Sequence, residues 1–240
     1  MNVLPFSIVS IQGDMLKHVF EEAPKEACGL VVQGQYWPCK NIHPEPEKYF
    51  TICPKDYIKA SNKGDIEAFF HSHTSGFNKF SPSDVATCKA TNTPWVMYCT
   101  DTDDWHYADP TGNAPYIGRQ WHYGIHDCYS LLKDFLFREF DIELDDFPRG
   151  EEQEWSSPAW DMFEQNFASQ GFRQCTSSPQ RGDMILMQLQ AARPNHVGVM
   201  ADEQAGVFYH HLLDRLSEAN VYGGYWKKAT CKILRHKELW

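Results

Sequence analysis

Apolar residues recur along the chain in two rhythms, one helical and one alternating. The helical rhythm is clearest in "CYSLLKDFLFREF", where Leu131, Leu132, Phe135, Leu136 and Phe140 fall three and four positions apart, predicting an amphipathic helix that starts at Cys128. A shorter helix is predicted in "DMLKHVFEEAP", with Leu16, Val19 and Phe20 on one face and Pro24 ending it. Strands are predicted at Cys28 to Val32, Tyr49 to Ile52, Ile66 to His71 and Trp95 to Tyr98, with a further helix beginning near Ser81. After position 180, "DMILMQL", "HVGVM", "GVFYHHL" and "CKILRH" read as strands suited to an antiparallel sheet. Pro and Gly crowd into "ADPTGNAPYIG", residues 108 to 118, which marks a break. The expected organisation is α+β in two small domains, residues 1–110 and 119–240, with a linker at about 111–118.

Composition narrows the function classes. With 42% hydrophobic and 22% charged residues the chain reads as globular. Its net charge of -10 is shared by both halves: nine basic against fourteen acidic residues before position 111, thirteen against eighteen after it. Both halves would repel a phosphate backbone, so nucleic acid is not expected as a partner. Eight cysteines without a C-x-x-C pair argue against a zinc knot or a disulfide framework. No basic start leads into an apolar run at the N-terminus, and no stretch nears the length of a membrane span, so neither a signal peptide nor a span is expected.

The candidate chemistry lies in two places. In "EAFFHSHTSGFNKFSPSDV", alternation along a strand lets His71 and His73 face the same way while Ser72 faces the other. Ser81-Pro82-Ser83-Asp84 is also a helix-capping signal, with Ser81 as N-cap, and a cap that fixes the helix start fixes where Asp84 points. Two imidazoles and a carboxylate make a zinc site with a position left open. Read together, Glu26, His71-x-His73 and Ser81-x-x-Asp84 resemble the JAMM (MPN-type) metalloproteases over roughly residues 10 to 105. The resemblance implies a mixed sheet with flanking helices, Zn2+ on His71, His73 and Asp84, Glu26 as general base toward a zinc-activated water, and Ser81 steadying the oxyanion.

In the second half, Cys128 stands at a predicted helix start, where unpaired amides and the helix dipole favour a thiolate. His196, heading "HVGVM", would take its proton. His210 and His211 on the following strand must face opposite ways, and either could orient that imidazole. The ordered pieces "HDCYSLL", "RGDMILM", "HVGVM" and "YHHL" resemble the NlpC-type papain-like cysteine peptidases over about residues 119 to 236. That likeness implies an antiparallel sheet with helices and peptidoglycan stem peptides as substrate. It makes His210 the third member of the triad, with His211 a possible substitute, and gives Tyr123 a place lining the substrate groove. The acidic run "DIELDDFPRGEEQEW" lies outside the motif and reads as a solvated face.

A JAMM domain followed directly by an NlpC-type domain resembles the tail-tip assembly proteins of lambda-like phages and prophages. The combination implies other phage tail-tip proteins as partners, residence in the host cytoplasm during assembly, and a place in the tail or cell envelope during infection.

Overall fold

The computed structural model describes residues 4–149 and 161–240. The chain divides into two compact units, Met1–Thr111 and Gly112–Trp240. It is α+β, with one sheet in each unit.

The first unit runs α1 (Phe6–Val9), α2 (Gln12–Glu22), β1 (Cys28–Val32), β2 (Gln35–Cys39), α3 (Pro54–Ser61), β3 (Ile66–His73), α4 (Pro82–Thr91), β4 (Trp95–Cys99) and β5 (Asp104–Ala108). Its strands lie in the order β2-β1-β3-β4-β5. Every pairing is antiparallel except β3 with β4, which α4 connects as a crossover. Alternation along β1 and β3 sends Val31, Ala68 and Phe70 to one face, where Met15 and Val19 of α2 cover them. Cys28, Leu30 and Val32 go to the other face, beside Phe50, Ile52 and Phe69. Gly29 admits no side chain: a Cβ there would sit 2.5 Å from the ring of Tyr36. That ring packs edge-on against Phe70 and its hydroxyl meets His18 of α2 at 2.8 Å, tying helix to sheet.

Two expectations need correction in this unit. Residues Tyr49 to Ile52 form no strand; only a single bridge joins Ile52 to Asn41. Asn41 is the reason, because its side chain takes the carbonyl of Tyr49 and the amide of Thr51 that a ladder would have used. In α2 the covered face is Met15, Leu16 and Val19, while Phe20 is exposed.

The second unit runs α5 (Cys128–Phe140), α6 (Met162–Asn166), β6 (Phe172–Cys175), β7 (Met184–Met187), β8 (His196–Asp202), β9 (Val207–His210), β10 (Glu218–Val221), α7 (Gly224–Ala229) and β11 (Thr230–His236). Its sheet has the order β10-β9-β8-β7-β11-β6 and is antiparallel throughout. Leu132, Phe135 and Leu136 of α5 pack onto Met184, Val197, Val199 and Leu234, so the helix whose periodicity was plainest lies across the middle of the sheet. A buried bidentate pair, Arg235 with Asp183, joins β11 to the start of β7.

In the acidic run after α5 the residues between the acids are the ones that enter the core. Ile142 and Leu144 are buried in the α5 core, and Arg149 is buried beside Asp127. Asp141, Glu143, Asp145 and Asp146 are exposed, so the acids form a solvated face while the apolar residues alternating with them turn inward; residues 150–155 of the run lie outside the described residues.

Candidate functional sites

The N-terminal site begins at β3, whose final residues carry His71 and His73 on the same face. Ser72 points the other way, accepting the Ala27 amide at 2.9 Å. After seven intervening residues the chain enters α4 through a full capping box: the Ser81 hydroxyl accepts from the Asp84 amide, and the Asp84 carboxylate accepts from the Ser81 amide at 2.8 Å. The cap holds Asp84 against both histidines. Its Oδ2 lies 3.6 Å from His71 Nε2 and 3.4 Å from His73 Nε2, and the two Nε2 atoms are 3.1 Å apart.

These separations fit a metal. Two ligands on tetrahedral zinc stand roughly 3.3 Å apart, given bonds near 2.05 Å, and all three observed edges lie close to that value. His73 Nδ1 faces the Phe77 carbonyl at 2.8 Å, and since a carbonyl only accepts, that nitrogen holds the proton and Nε2 keeps its lone pair for an ion. Among the described residues this is the one cluster of three such ligand groups, their donor atoms all within 4.8 Å of one another.

The environment sets each group's proton affinity. Burial lowers the pKa of His71, against the pull of Asp84. His73 is raised: burial works against it, but the hydrogen bonds to Asp84 and Phe77 and the charge of Glu26 outweigh burial. Asp84 falls well below the usual carboxylate range, since the two histidines and Ser81 more than offset burial. Glu26 precedes β1 and is buried; burial raises it to about 7, with His73 pulling down and Asp84 pushing up. Glu26, His73, Ser81 and Asp84 all line one open cleft of about 510 Å³. The Ser81 hydroxyl donates to Asp84 Oδ2 at 2.6 Å and lies 2.8 Å from Ser83 Oγ.

In the second unit Cys128 is the first residue of α5 and Asp127 its N-cap. One Asp127 oxygen accepts the amide and hydroxyl of Ser130, each at 2.8 Å; the other accepts the Gly124 amide at 3.0 Å and Arg149 Nε at 2.8 Å. His196 opens β8, and its Nε2 lies 3.1 Å from Nδ1 of His210 on β9. Behind His210, Asn220 Nδ2 faces Nε2 at 3.0 Å and Glu218 Oε1 stands at 3.4 Å. Phe208 stacks flat on the His210 ring at 4.8 Å and Trp226 meets its edge at 4.4 Å. That stack requires Gly198 on β8, where a Cβ would come within 2.7 Å of Phe208.

His210 is therefore the histidine that meets His196. His211 points away from that bond: its Nε2 donates to the Arg215 carbonyl at 3.0 Å and its ring abuts Trp121. Cys128 is not a thiolate at rest, contrary to the helix-start argument. Burial, then the charge of Asp127, pushes the thiol up to about 12, although the Val197 and Tyr129 backbone and Arg149 oppose this. Burial and the neighbouring imidazoles hold His196 well below the usual histidine range, and burial with His211 brings His210 to about 4. Tyr123 shares with Cys128, Trp121 and Asn195 a cavity of only about 30 Å³.

Sequence reasoning missed Asn220 and Glu218, which sit on an edge strand with no motif to mark them, and Arg149, hidden in a run of acids. It also missed Phe50, which stacks on His71 at 4.7 Å.

Fold and sites define a two-domain protein that joins a JAB-like domain to an NlpC/P60 domain. Residues 9–110 match the family described as prokaryotic homologs of the JAB domain, and residues 118–235 match the NlpC/P60 family. The chain belongs to the family of tail tip assembly protein K. It is 34% identical to that protein of Escherichia phage N15 over 230 residues, covering 94% of this chain and 93% of the relative. Against the protein of the same name in Escherichia phage lambda it is 29% identical over 188 residues, covering 78% and 89%. Among solved structures, that of protein DSY2949 from Desulfitobacterium hafniense overlaps 41% of this chain and 77% of its own at 19% identity, with a TM-score of 0.34, too slight a likeness to bear on the fold. No helix among the described residues is long and apolar enough to cross a membrane.

Proposed function

We propose that this protein takes part in phage tail-tip assembly, alongside other tail-tip proteins, and is a peptidoglycan-stem endopeptidase through its C-terminal unit. The bond we assign is that between D-glutamate and the diamino acid of the stem. The observation that carries the reading is the relay from buried His196 through buried His210 to the partly exposed Asn220 and Glu218 side chains, together with Cys128 at a helix start whose sulfur meets the backbone of Val197, the residue after His196. With the His210 Nε2 proton given to Glu218 Oε1, Nδ1 of His210 accepts from Nε2 of His196. Nδ1 of His196 is then left as the base. Cys128 and His196 both rest neutral, so the thiol gives up its proton as sulfur attacks the carbonyl, and the imidazolium returns it to the leaving amine. Tyr123 borders the substrate beside the nucleophile.

In the N-terminal unit His71, His73 and Asp84 would hold zinc, and the reaction we assign is peptide or isopeptide hydrolysis. Zinc bound there supplies Lewis acidity toward a carbonyl and toward water. Glu26, raised to about 7, takes up and returns a proton near neutral pH. Ser81 offers a hydroxyl to an oxyanion in the cleft. Purified protein should contain one zinc per chain, lost in His71→Ala and Asp84→Ala and kept in Cys128→Ala; zinc that instead followed the cysteine would defeat the ligand assignment.

A second reading has support in the cavity at Cys128, whose 30 Å³ holds about one water. In that reading the unit is an assembly module with little catalysis. A synthetic stem peptide separates the two. Hydrolysis by the intact protein, abolished in Cys128→Ala and cut at least a hundredfold in His196→Ala, is expected of the peptidase; no hydrolysis favours the module.

A further inference from the structure

The cleft over the N-terminal site has a wall of rings leading away from the metal ligands. From the face of His71 the contacts run through Phe50 to Trp95 at 5.8 Å and on to Phe69 at 5.6 Å. At the rim Tyr49 and Tyr57 are exposed to 51% and 39%. The segment that carries Phe50 also has a backbone edge to spare. It runs antiparallel to residues 40–42, with the Thr51 carbonyl accepting from Ile42 and the Cys53 amide donating to the Lys40 carbonyl. Thr51 and Cys53 face that partner, so Phe50 and Ile52 turn their N–H and C=O to the opposite side. Among the described residues those groups make no hydrogen bond, and both residues line the cleft.

An apolar wall beside unpaired peptide groups fits a ligand with a main chain to pair and a large side chain to bury. We propose that the N-terminal site takes an extended peptide carrying a bulky apolar residue next to the bond presented to Glu26. Its main chain pairs with Phe50 and Ile52, and the side chain lies against Phe50, Trp95 and Phe69. A glycine tail would leave this wall unfilled. The inference names the substrate of that site and rests on its reading as a hydrolase.

The test uses the full chain with Cys128→Ala, which silences the other site. Two labelled decapeptides, alike except for a central Phe or Gly, are titrated into metal-free protein and followed by fluorescence anisotropy. Zinc-loaded protein is then given a mixed peptide library, and its cut sites are mapped. Burying one large apolar side chain is worth about tenfold in affinity or more, so the Phe peptide should bind at least that much tighter and cuts should fall beside Phe, Leu, Ile or Met. Tyr57→Ser, at the exposed rim, should narrow the gap several-fold without unfolding the unit. Preferential binding without any cleavage would uphold the peptide class and overturn the hydrolase reading. Equal binding of the two peptides, or cuts confined to glycine, would overturn the inference.

Discussion

Burial decides the chemistry of the histidines around β9. In the unfolded chain His210 titrates near 6.5, and in the folded unit near 4. Above pH 6.5 the imidazole is neutral in both states and the difference contributes nothing. As pH falls through this window the unfolded chain gains a proton that the folded unit refuses, so stability is lost, by up to about 3 kcal/mol at pH 4. Amide exchange in β8 and β9 should therefore accelerate between pH 6.5 and 4, after correction for intrinsic rates, and less steeply in His210→Asn; equal slopes would contradict the assignment. The same burial explains what sequence left open at this scale. Adjacent positions guarantee that His210 and His211 face opposite ways, but which one meets His196 depends on the β8 to β9 register, which pairs Gly198 with His210. The protonation of Cys128 was no more legible. A helix start favours a thiolate in general, and here lack of solvent and the charge of Asp127 outweigh it.

Between elements, the junction that places Cys128 is the Asp127 cap and its buried partner Arg149. Asp127 is held at about 2, burial being overcome by Arg149 and by the hydrogen bonds from Ser130. Asp127→Ala removes a helix cap and leaves the buried Arg149 guanidinium over Tyr129 with Asp146 as its remaining carboxylate, at a cost of about 1 to 3 kcal/mol. Thermal unfolding should show that loss, with part of it regained in Asp127→Ala/Arg149→Met; a double variant as unstable as the single one would mean the ion pair is not the cause. Elements with strong internal signals were legible in the sequence, among them α5 from its apolar spacing and α4 from its cap. Those whose signals are overridden were not. Pro38 in β2 hides an edge strand, which tolerates proline where a central strand does not. Tyr49 to Ile52 has strand composition, but the Tyr49 carbonyl and the Thr51 amide go to the Asn41 side chain.

At the scale of the whole molecule, each unit contains its own complete set of candidate groups. Glu26, His71, His73, Ser81 and Asp84 all lie before position 112, and Cys128, His196, His210, Glu218 and Asn220 all lie after it. Neither set borrows a residue from the other, so the two proposed activities should be separable by single substitutions. The proposed opening of the cell wall by the C-terminal unit is read from digestion of purified peptidoglycan by the intact protein, Cys128→Ala and Glu26→Ala, with released peptides identified by mass spectrometry. Stem fragments cut after D-glutamate should appear with the intact protein and Glu26→Ala and be absent with Cys128→Ala. Release that survives in Cys128→Ala, or no release by any of the three where a known wall peptidase succeeds, would rule out Cys128-dependent cleavage of the stem.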